Sequence, residues 1–184
     1  MRISIAFVFM TAPVWAEDCP DTKDSSAELG ALIAAAQGAS SAAEAKDAAK
    51  GMWQVWLRAP NTQAQAVLDR GLKRRDGYDF AGAYADFDRL VEYCPNYAEG
   101  FNQRAYVQFL RGEYGGALLN LDAALALLPN HVAAQSGRAL TLMQMGRLAE
   151  ARIQMLEALK NNPWLSERAL VAKGAPLGAQ GDDI

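Results

Sequence analysis

Histidine is the side chain that most often acts as a general acid or base near neutral pH, and this chain of 184 residues has only His131. It follows Pro129 and Asn130, which end a helical run rich in Ala and Leu. There is no second histidine to share a metal ion, and neither cysteine is near in sequence. We therefore interpret His131 as a connector between helices and predict no metal or cofactor.

Other patterns that would indicate an enzyme are missing from the sequence. It contains no Gly-rich phosphate loop, no HExxH and no CxxC motif. Asp86 and Asp88 lie two apart on a predicted helix, so they face different directions and are more typical of solvated or ion-paired carboxylates. The 18 basic and 21 acidic residues are spread along the chain, which does not favour binding to nucleic acid or an anionic membrane. The sequence predicts a protein without enzymatic activity.

The first 16 residues, MRISIAFVFMTAPVWA, have the layout of a secretory signal peptide. Arg2 precedes an apolar run over 3–14, and Val14 and Ala16 have the small-residue spacing of a cleavage site. A buried first helix or a membrane anchor is the alternative, but the run is shorter than the roughly 20 apolar residues that span a bilayer. We expect an exported, periplasmic or secreted protein that begins at Glu17 and has no stable membrane anchor.

Export decides how the two cysteines are interpreted. Cys19 and Cys94 lie 75 positions apart, and in an oxidising compartment an even pair favours a disulfide. The alternative is a buried thiol at Cys94 and an unrelated one at Cys19 in a frayed terminus.

A fixed period organises the rest of the chain. Pro95, Pro129 and Pro163 are 34 residues apart. Within the middle period, helical runs at 101–110 and 117–128 are separated by a turn at Gly112. Three further sets of matched small or large residues keep the same offset: Gly71, Ala105 and Ala139; Ala83, Ala117 and Ala151; and Phe87, Leu121 and Met155.

This helix–turn–helix unit resembles the tetratricopeptide repeat family. Units over 64–97, 98–131 and 132–165 match its pattern, and the first departs from it because Tyr78 takes the usual glycine place and Leu90 replaces an alanine. The resemblance implies an all-α, right-handed α-solenoid of antiparallel helix hairpins, with the three units over 61–165.

The flanking segments are predicted to be helical. Residues 17–60 read as an Ala-rich hairpin with a capping box at Ser41 and Glu44, either a degenerate fourth repeat or a linker, and Trp53 and Trp56 favour docking onto the first repeat. Residues 166–184 read as a capping helix that begins at Ser166, followed by a flexible tail.

One charged feature shares the period: Arg70, Arg104 and Arg138. These arginines either form a ladder for an acidic ligand or pack along the helices and pair with acids such as Asp88 and Asp122. We favour the pairing, because neighbours of a packing alanine usually point into the stack.

The resemblance also implies an inner surface built from one stripe of each first helix, which binds peptides or partner helices. Its positions here are Leu68, Leu72, Arg75, Asn102, Tyr106, Phe109, Ser136, Leu140 and Met143. The stripe is largely apolar, which suits an apolar peptide segment or helix of another protein. The stripe is alternatively packed away under a flank. A carrier of an apolar small molecule or lipid, or an unrecognised enzyme, are the competing functions.

Overall fold

The computed structural model describes residues 18–179, which form a series of α-helices and one short 3₁₀ helix. The signal peptide predicted over 1–16 and the predicted start at Glu17 lie outside the described residues. The helices are α1 (Ser26–Gly38), α2 (Ala42–Trp56), α3 (Thr62–Asp76), α4 (Phe80–Tyr93), α5 (Ala98–Leu110), α6 (Tyr114–Leu127), α7 (Val132–Gln144), α8 (Leu148–Asn161) and the 3₁₀ helix Ser166–Val171.

The helices from α3 to α8 stack as three hairpins, which we call the first, second and third repeats. Within each repeat the two helices pack on one another, and α4 packs on α5 as α6 packs on α7. The predicted all-α array of antiparallel helix hairpins is therefore confirmed.

The periodic small and large residues form the helix crossings. Ala83, Ala117 and Ala151 are fully buried, where an alanine lets two backbones approach closely. Phe87 fills the crossing of the first repeat so tightly that a Cβ added at Gly71 would lie 2.5 Å from its ring. The large residues at the same register are also buried, namely Leu121 and Met155.

In the turn within each repeat, the residue at the same repeat position has a left-handed backbone conformation. Gly112 and Gly146 both have φ of 74°, and Tyr78 has φ of 63° although it carries a side chain. The departure from the repeat pattern at Tyr78 thus leaves the turn geometry unchanged and introduces backbone strain, because a Cβ in this region meets the following carbonyl oxygen.

We expect Tyr78→Gly to raise the free energy of unfolding by about 0.5–1 kcal/mol, because glycine removes the backbone strain. The greater conformational freedom of glycine in the unfolded chain offsets only part of this gain. The Tyr78 ring is exposed and touches only the edge of Phe80 among the aromatic rings of the described residues, so little packing is lost. Chemical denaturation measures the change. Tyr78→Ala is the control, since it removes the same ring but keeps the Cβ. Equal stability of the two variants would contradict the strain.

The N-terminal hairpin of α1 and α2 does not extend the stack as a fourth unit. The α1 helix contacts α8 at the far end of the array, and contacts between α2 and α3 are sparse. Gln37 in α1 donates from Nε2 to the carbonyl oxygen of Lys160 at 2.8 Å. One half of the predicted capping box is formed, because Ser41 Oγ accepts from the Glu44 amide. The Glu44 carboxylate accepts from the amide of Ser40, one residue before the N-cap.

The docking of this hairpin differs from the sequence expectation. The ring of Trp56 stacks on His131, between the second and third repeats, with a centroid distance of 4.2 Å. Val132 at the start of α7 belongs to the same buried cluster as Met52 and Ile33. The hairpin therefore lies across the array from its first repeat to its last.

The C-terminal segment covers the last hairpin. Its 3₁₀ helix contacts α8, and Leu177 is buried with Leu142 and Met155. The capping element is thus of 3₁₀ type, and Ser166 is its first residue with the hydroxyl bonded to Glu167 instead of a backbone amide.

A disulfide joins Cys19, in the segment before α1, to Cys94, and their Cα atoms lie 5.2 Å apart. Cys94 is buried at the end of α4 and Cys19 packs against the same cluster. The bond fixes the chain before α1 to the first repeat, and the connection at 57–61 fixes the chain after α2 close to the same place.

Candidate functional site

A groove of about 710 Å³ lies between α2 and the first helices of the three repeats. One wall consists of inner residues of α3, α5 and α7, and α2 forms the opposite wall. Most of the lining is apolar or aromatic, and the groove is open to solvent. We call this space the inner groove.

The structure brings together six of the nine predicted stripe residues in the inner groove. They are Leu72, Arg75, Asn102, Tyr106, Phe109 and Leu140. The other three lie elsewhere: Leu68 is buried against Phe87, Ser136 is buried, and Met143 packs on the cluster under the C-terminal segment.

Tyr106 is the most exposed aromatic residue of the inner groove, with 47% of its surface accessible. The Arg75 guanidinium lies 5.5 Å from its ring centroid, a cation–π contact that holds the ring in place. Phe109 is half-buried and contacts the Tyr114 ring edge at 5.5 Å. Tyr106 therefore presents a free face, whereas Phe109 also belongs to the repeat packing.

The opposite wall contains lining residues that the sequence analysis did not assign to a site. Trp53 is 39% exposed, and its ring meets the edge of Trp56 at 5.2 Å. Met52 and Leu57 complete this side. The only signal in the sequence is the pair of tryptophans in an alanine-rich helix.

A buried polar network under the inner groove is built around Glu99, which is 1% exposed. Its carboxylate accepts from Asn102 Nδ2 at 3.1 Å and from Gln103 Nε2. Arg75 donates to the Gln103 side-chain oxygen, so the Gln103 amide links the Arg75 guanidinium to the Glu99 carboxylate. His131 Nε2 lies 2.7 Å from Glu99 Oε2.

His131 itself is fully buried and its hydrogen bonds define its tautomer. Nδ1 accepts from the Ala134 amide at 3.3 Å and caps α7, so Nε2 carries the proton and donates to Glu99. The interpretation of His131 as a connector is confirmed, and its partner Glu99 was not foreseen. Both groups are buried, and their contact joins α5 of the second repeat to the start of α7 in the third repeat.

The same network fixes the N-terminal hairpin. Trp56 stacks on His131, and the Tyr97 hydroxyl donates to the Trp56 carbonyl oxygen at 2.6 Å. Burial raises the pKa of Tyr97 above its ordinary value, so the hydroxyl stays a donor at neutral pH. A second cavity of about 350 Å³ adjoins Trp56, Tyr97 and His131 under residues 22–26.

Two of the three periodic arginines, Arg104 and Arg138, bridge consecutive repeats. Arg104 Nη1 lies 2.6 Å from Asp88 Oδ1 of the preceding repeat, and its Nε lies 2.8 Å from Asn120 of its own repeat. Arg138 joins Asp122 at 2.7 Å and Gln154 at 3.1 Å in the same way. The predicted pairing with Asp88 and Asp122 is confirmed.

The described residues contain neither a cluster of metal-ligating side chains nor a helix suited to span a membrane. Within residues 18–179, no three His, Cys, Asp or Glu side chains are grouped to hold a metal ion. None of the helices described there combines the length and apolar character needed to cross a bilayer.

Comparisons with known proteins agree with this architecture. No protein-family model matches the chain. It is 34% identical over 65 residues to a tetratricopeptide repeat protein 36 homolog of Nematostella vectensis, covering 35% of the chain and 36% of that protein. It is 30% identical over 103 residues to DnaJ homolog subfamily C member 3 of Rattus norvegicus, covering 56% of the chain and 20% of that protein.

A TPR repeat-containing protein of Rhizobium etli is 35% identical over 65 residues, or 35% of the chain and 32% of that protein. The matches thus span between a fifth and about a third of these relatives. A solved structure of a MamA mutant superposes with a TM-score of 0.51 at 19% identity, covering 76% of the chain and 98% of MamA.

The stacked hairpins and the inner groove define a helical-repeat protein with a concave binding face. The 34-residue period and these similarities support the assignment of the repeats to the tetratricopeptide repeat family.

Proposed function

We propose that the protein is a non-enzymatic scaffold that holds an apolar peptide segment or helix of a partner protein in the inner groove. The observation that carries this proposal is the pair of exposed aromatic side chains, Tyr106 and Trp53, on opposite walls of one apolar space. A contiguous exposed apolar surface, unlike a single exposed apolar residue, marks a binding site.

The chemistry of the groove favours an apolar partner. Leu72, Leu140 and Phe109 lie beside Tyr106, and the charged groups among the lining residues are Arg75, Asp76 and Glu167. Arg75 pairs with Asp76 at 2.8 Å, so the pair does not present a free charge to a ligand. An apolar face of a helix, or alternate side chains of an extended segment, fills such a space.

The proposal also gives the N-terminal hairpin a role. Because α2 packs on Val132 and His131, it is held over the start of α7 and forms the wall of the inner groove that faces the repeats. A partner would therefore contact α2 and the repeats together.

We expect Tyr106→Ala and Trp53→Ala each to weaken partner binding, and the double variant to cost about 2 kcal/mol or more, as aromatic anchors commonly do. A tagged protein captures the partner from the exported fraction, and calorimetry with the purified partner gives the affinities.

Leu119→Ala is the matched control, because Leu119 is exposed on α6 and does not line the groove. Circular dichroism should show all four variants folded. Unchanged affinity in the double variant would remove the groove from the binding site, and a loss of stability as large as that of Leu121→Ala would make the aromatics part of the core.

The volume of the groove supports a second candidate function, a carrier of an apolar small molecule or lipid. Ligand pockets commonly measure about 300–1,000 Å³, and this one falls in that range. Its openness favours a peptide. Native mass spectrometry of purified protein that retains a stoichiometric lipid would favour the carrier.

We further propose that the protein acts in the periplasm or outside the cell. The signal-peptide pattern of residues 1–16 and the Cys19–Cys94 disulfide support this location, because disulfides persist in oxidising compartments. N-terminal sequencing of the exported protein should begin at Glu17, and a sequence that still begins at Met1 would contradict cleavage.

A further inference from the structure

Each first helix in the interior of the stack presents one face to the second helix of the preceding repeat. A Cβ added at Gly100 in α5 would lie 3.5 Å from Leu90 and Val91 of α4. Val107, two turns further along α5, is fully buried in the cluster that contains Leu90. The equivalent residues of α7 lie 34 positions later and are also largely buried: Ala134, Arg138 and Thr141.

In α3 the same face is exposed. Its residues are Ala66, Arg70 and Lys73, 34 positions before Gly100, Arg104 and Val107, and all three are exposed. The face is open because the N-terminal hairpin lies across the inner side of the array and does not stack on α3. We call these three residues the open end face.

Ion pairs show which residues contact the equivalent face of the first helix in the second and third repeats. Arg104 and Arg138 each bind an aspartate on the preceding second helix, at 2.6 Å and 2.7 Å. Arg70 keeps the bond to its own repeat, Asp86 at 2.7 Å, but no residue of 18–179 supplies the second carboxylate. Its side chain is 45% exposed.

The open end face also carries excess positive charge. Besides Arg70, the guanidinium groups of Arg74 and Arg89 lie 3.0 Å and 3.7 Å from the buried Asp86 carboxylate. Asp79 lies 3.8 Å from Arg74, and Lys73 makes no ion pair among the described residues. An acidic partner is therefore attracted to this end.

We propose that the open end face docks an amphipathic helix of another protein that places an aspartate next to Arg70, as α4 and α6 place Asp88 and Asp122 in the interior junctions. This surface is separate from the inner groove. Ala66 is small, like Gly100 and Ala134, so a helix backbone can approach it closely.

A second copy of this chain is a poorer occupant. The helix at the other end of its stack is α8, and the residue at the register of Asp88 and Asp122 is Leu156. A head-to-tail contact would set Leu156 against Arg70, and the 3₁₀ helix already contacts α8. The charge pattern therefore favours a different protein with an acidic helix.

The test uses a stapled, fluorescently labelled helical peptide that copies residues 80–93, because α4 contains Asp88 and is the natural occupant of an interior junction. Stapling is needed since an isolated helix of this length is marginal in water. Fluorescence anisotropy with the full chain should show saturable binding. We expect Lys73→Glu in the protein, and Asp88→Asn in the peptide, each to weaken binding at least fivefold.

Lys50→Glu is the matched control, because Lys50 is an exposed lysine of the N-terminal hairpin and should leave the affinity unchanged. Absence of saturable binding, or equal affinities for Lys73→Glu and the unmodified protein, would overturn the proposal. Tyr106→Ala should not change peptide binding. If it does, the peptide occupies the inner groove, which overturns the open end face and leaves the proposed function standing.

Discussion

Replacing His131 with alanine should lower the free energy of unfolding by about 3–5 kcal/mol, because truncating a fully buried ring leaves a cavity and removes a hydrogen bond to a buried carboxylate. The substitution leaves the Glu99 carboxylate buried without its imidazole partner at 2.7 Å. It also removes the side-chain cap of α7 and the ring on which Trp56 stacks. Urea denaturation followed by circular dichroism measures the change.

A double variant separates the buried charge from the lost packing. Glu99→Gln in the His131→Ala background keeps the size of the side chain but removes the carboxylate, so the double variant should be more stable than His131→Ala alone. A cost below about 1 kcal/mol for His131→Ala would show that the pair contributes little, in conflict with the usual cost of removing a hydrogen-bond donor from a buried carboxylate.

Removing the disulfide should lower the free energy of unfolding by about 4 kcal/mol, because the bond closes a long loop in the unfolded chain. The loop spans 75 positions from Cys19 to Cys94 and includes the N-terminal hairpin and the first repeat. The Cys19→Ser, Cys94→Ser double variant measures this in thermal and urea unfolding.

The reduced natural protein is the control, since it should unfold at the same denaturant concentration as the double variant. Peptide mapping without reductant should recover the two cysteine peptides joined. Recovery of both thiols free from protein kept under oxidising conditions would show that the pair is incidental.

The repeats could be predicted from the sequence because their signals are local and repeated. Each unit repeats the same small and large residues, so Ala117 and Leu121 mark a helix crossing without knowledge of the rest of the chain. The pairing of Arg104 with Asp88 follows from the same regularity, since both interior junctions use a spacing of 16 residues.

The position of the N-terminal hairpin could not be predicted in this way. Alanine-rich helices have faces of nearly equal polarity, so α1 gives little sign of what it packs against. The contact of Trp56 with His131 joins residues 75 positions apart in different kinds of unit. Glu99 was missed for the same reason, because its burial depends on how the second and third repeats stack around it.

The predicted stripe was accurate where the first helices face the groove and failed at its edges. Leu68, one turn before Leu72, turns into the crossing with Phe87. Met143 packs against the cluster that contains Leu177 of the C-terminal segment. That segment lies outside the 34-residue repeat, so the repeat pattern does not predict this contact. Side chains at the ends of a stripe depend on neighbours that the repeat does not specify.

The contact between α1 and α8 has a consequence for how the molecule unfolds. A linear array of repeats has contacts only between neighbours, so its end units fray independently of the middle. Here the first helix rests on the last α-helix through Gln37 and Lys160, so the N-terminal hairpin and the third repeat hold each other. We therefore expect loss of the third repeat to undock the N-terminal hairpin, so that these two parts of the chain unfold together instead of fraying independently.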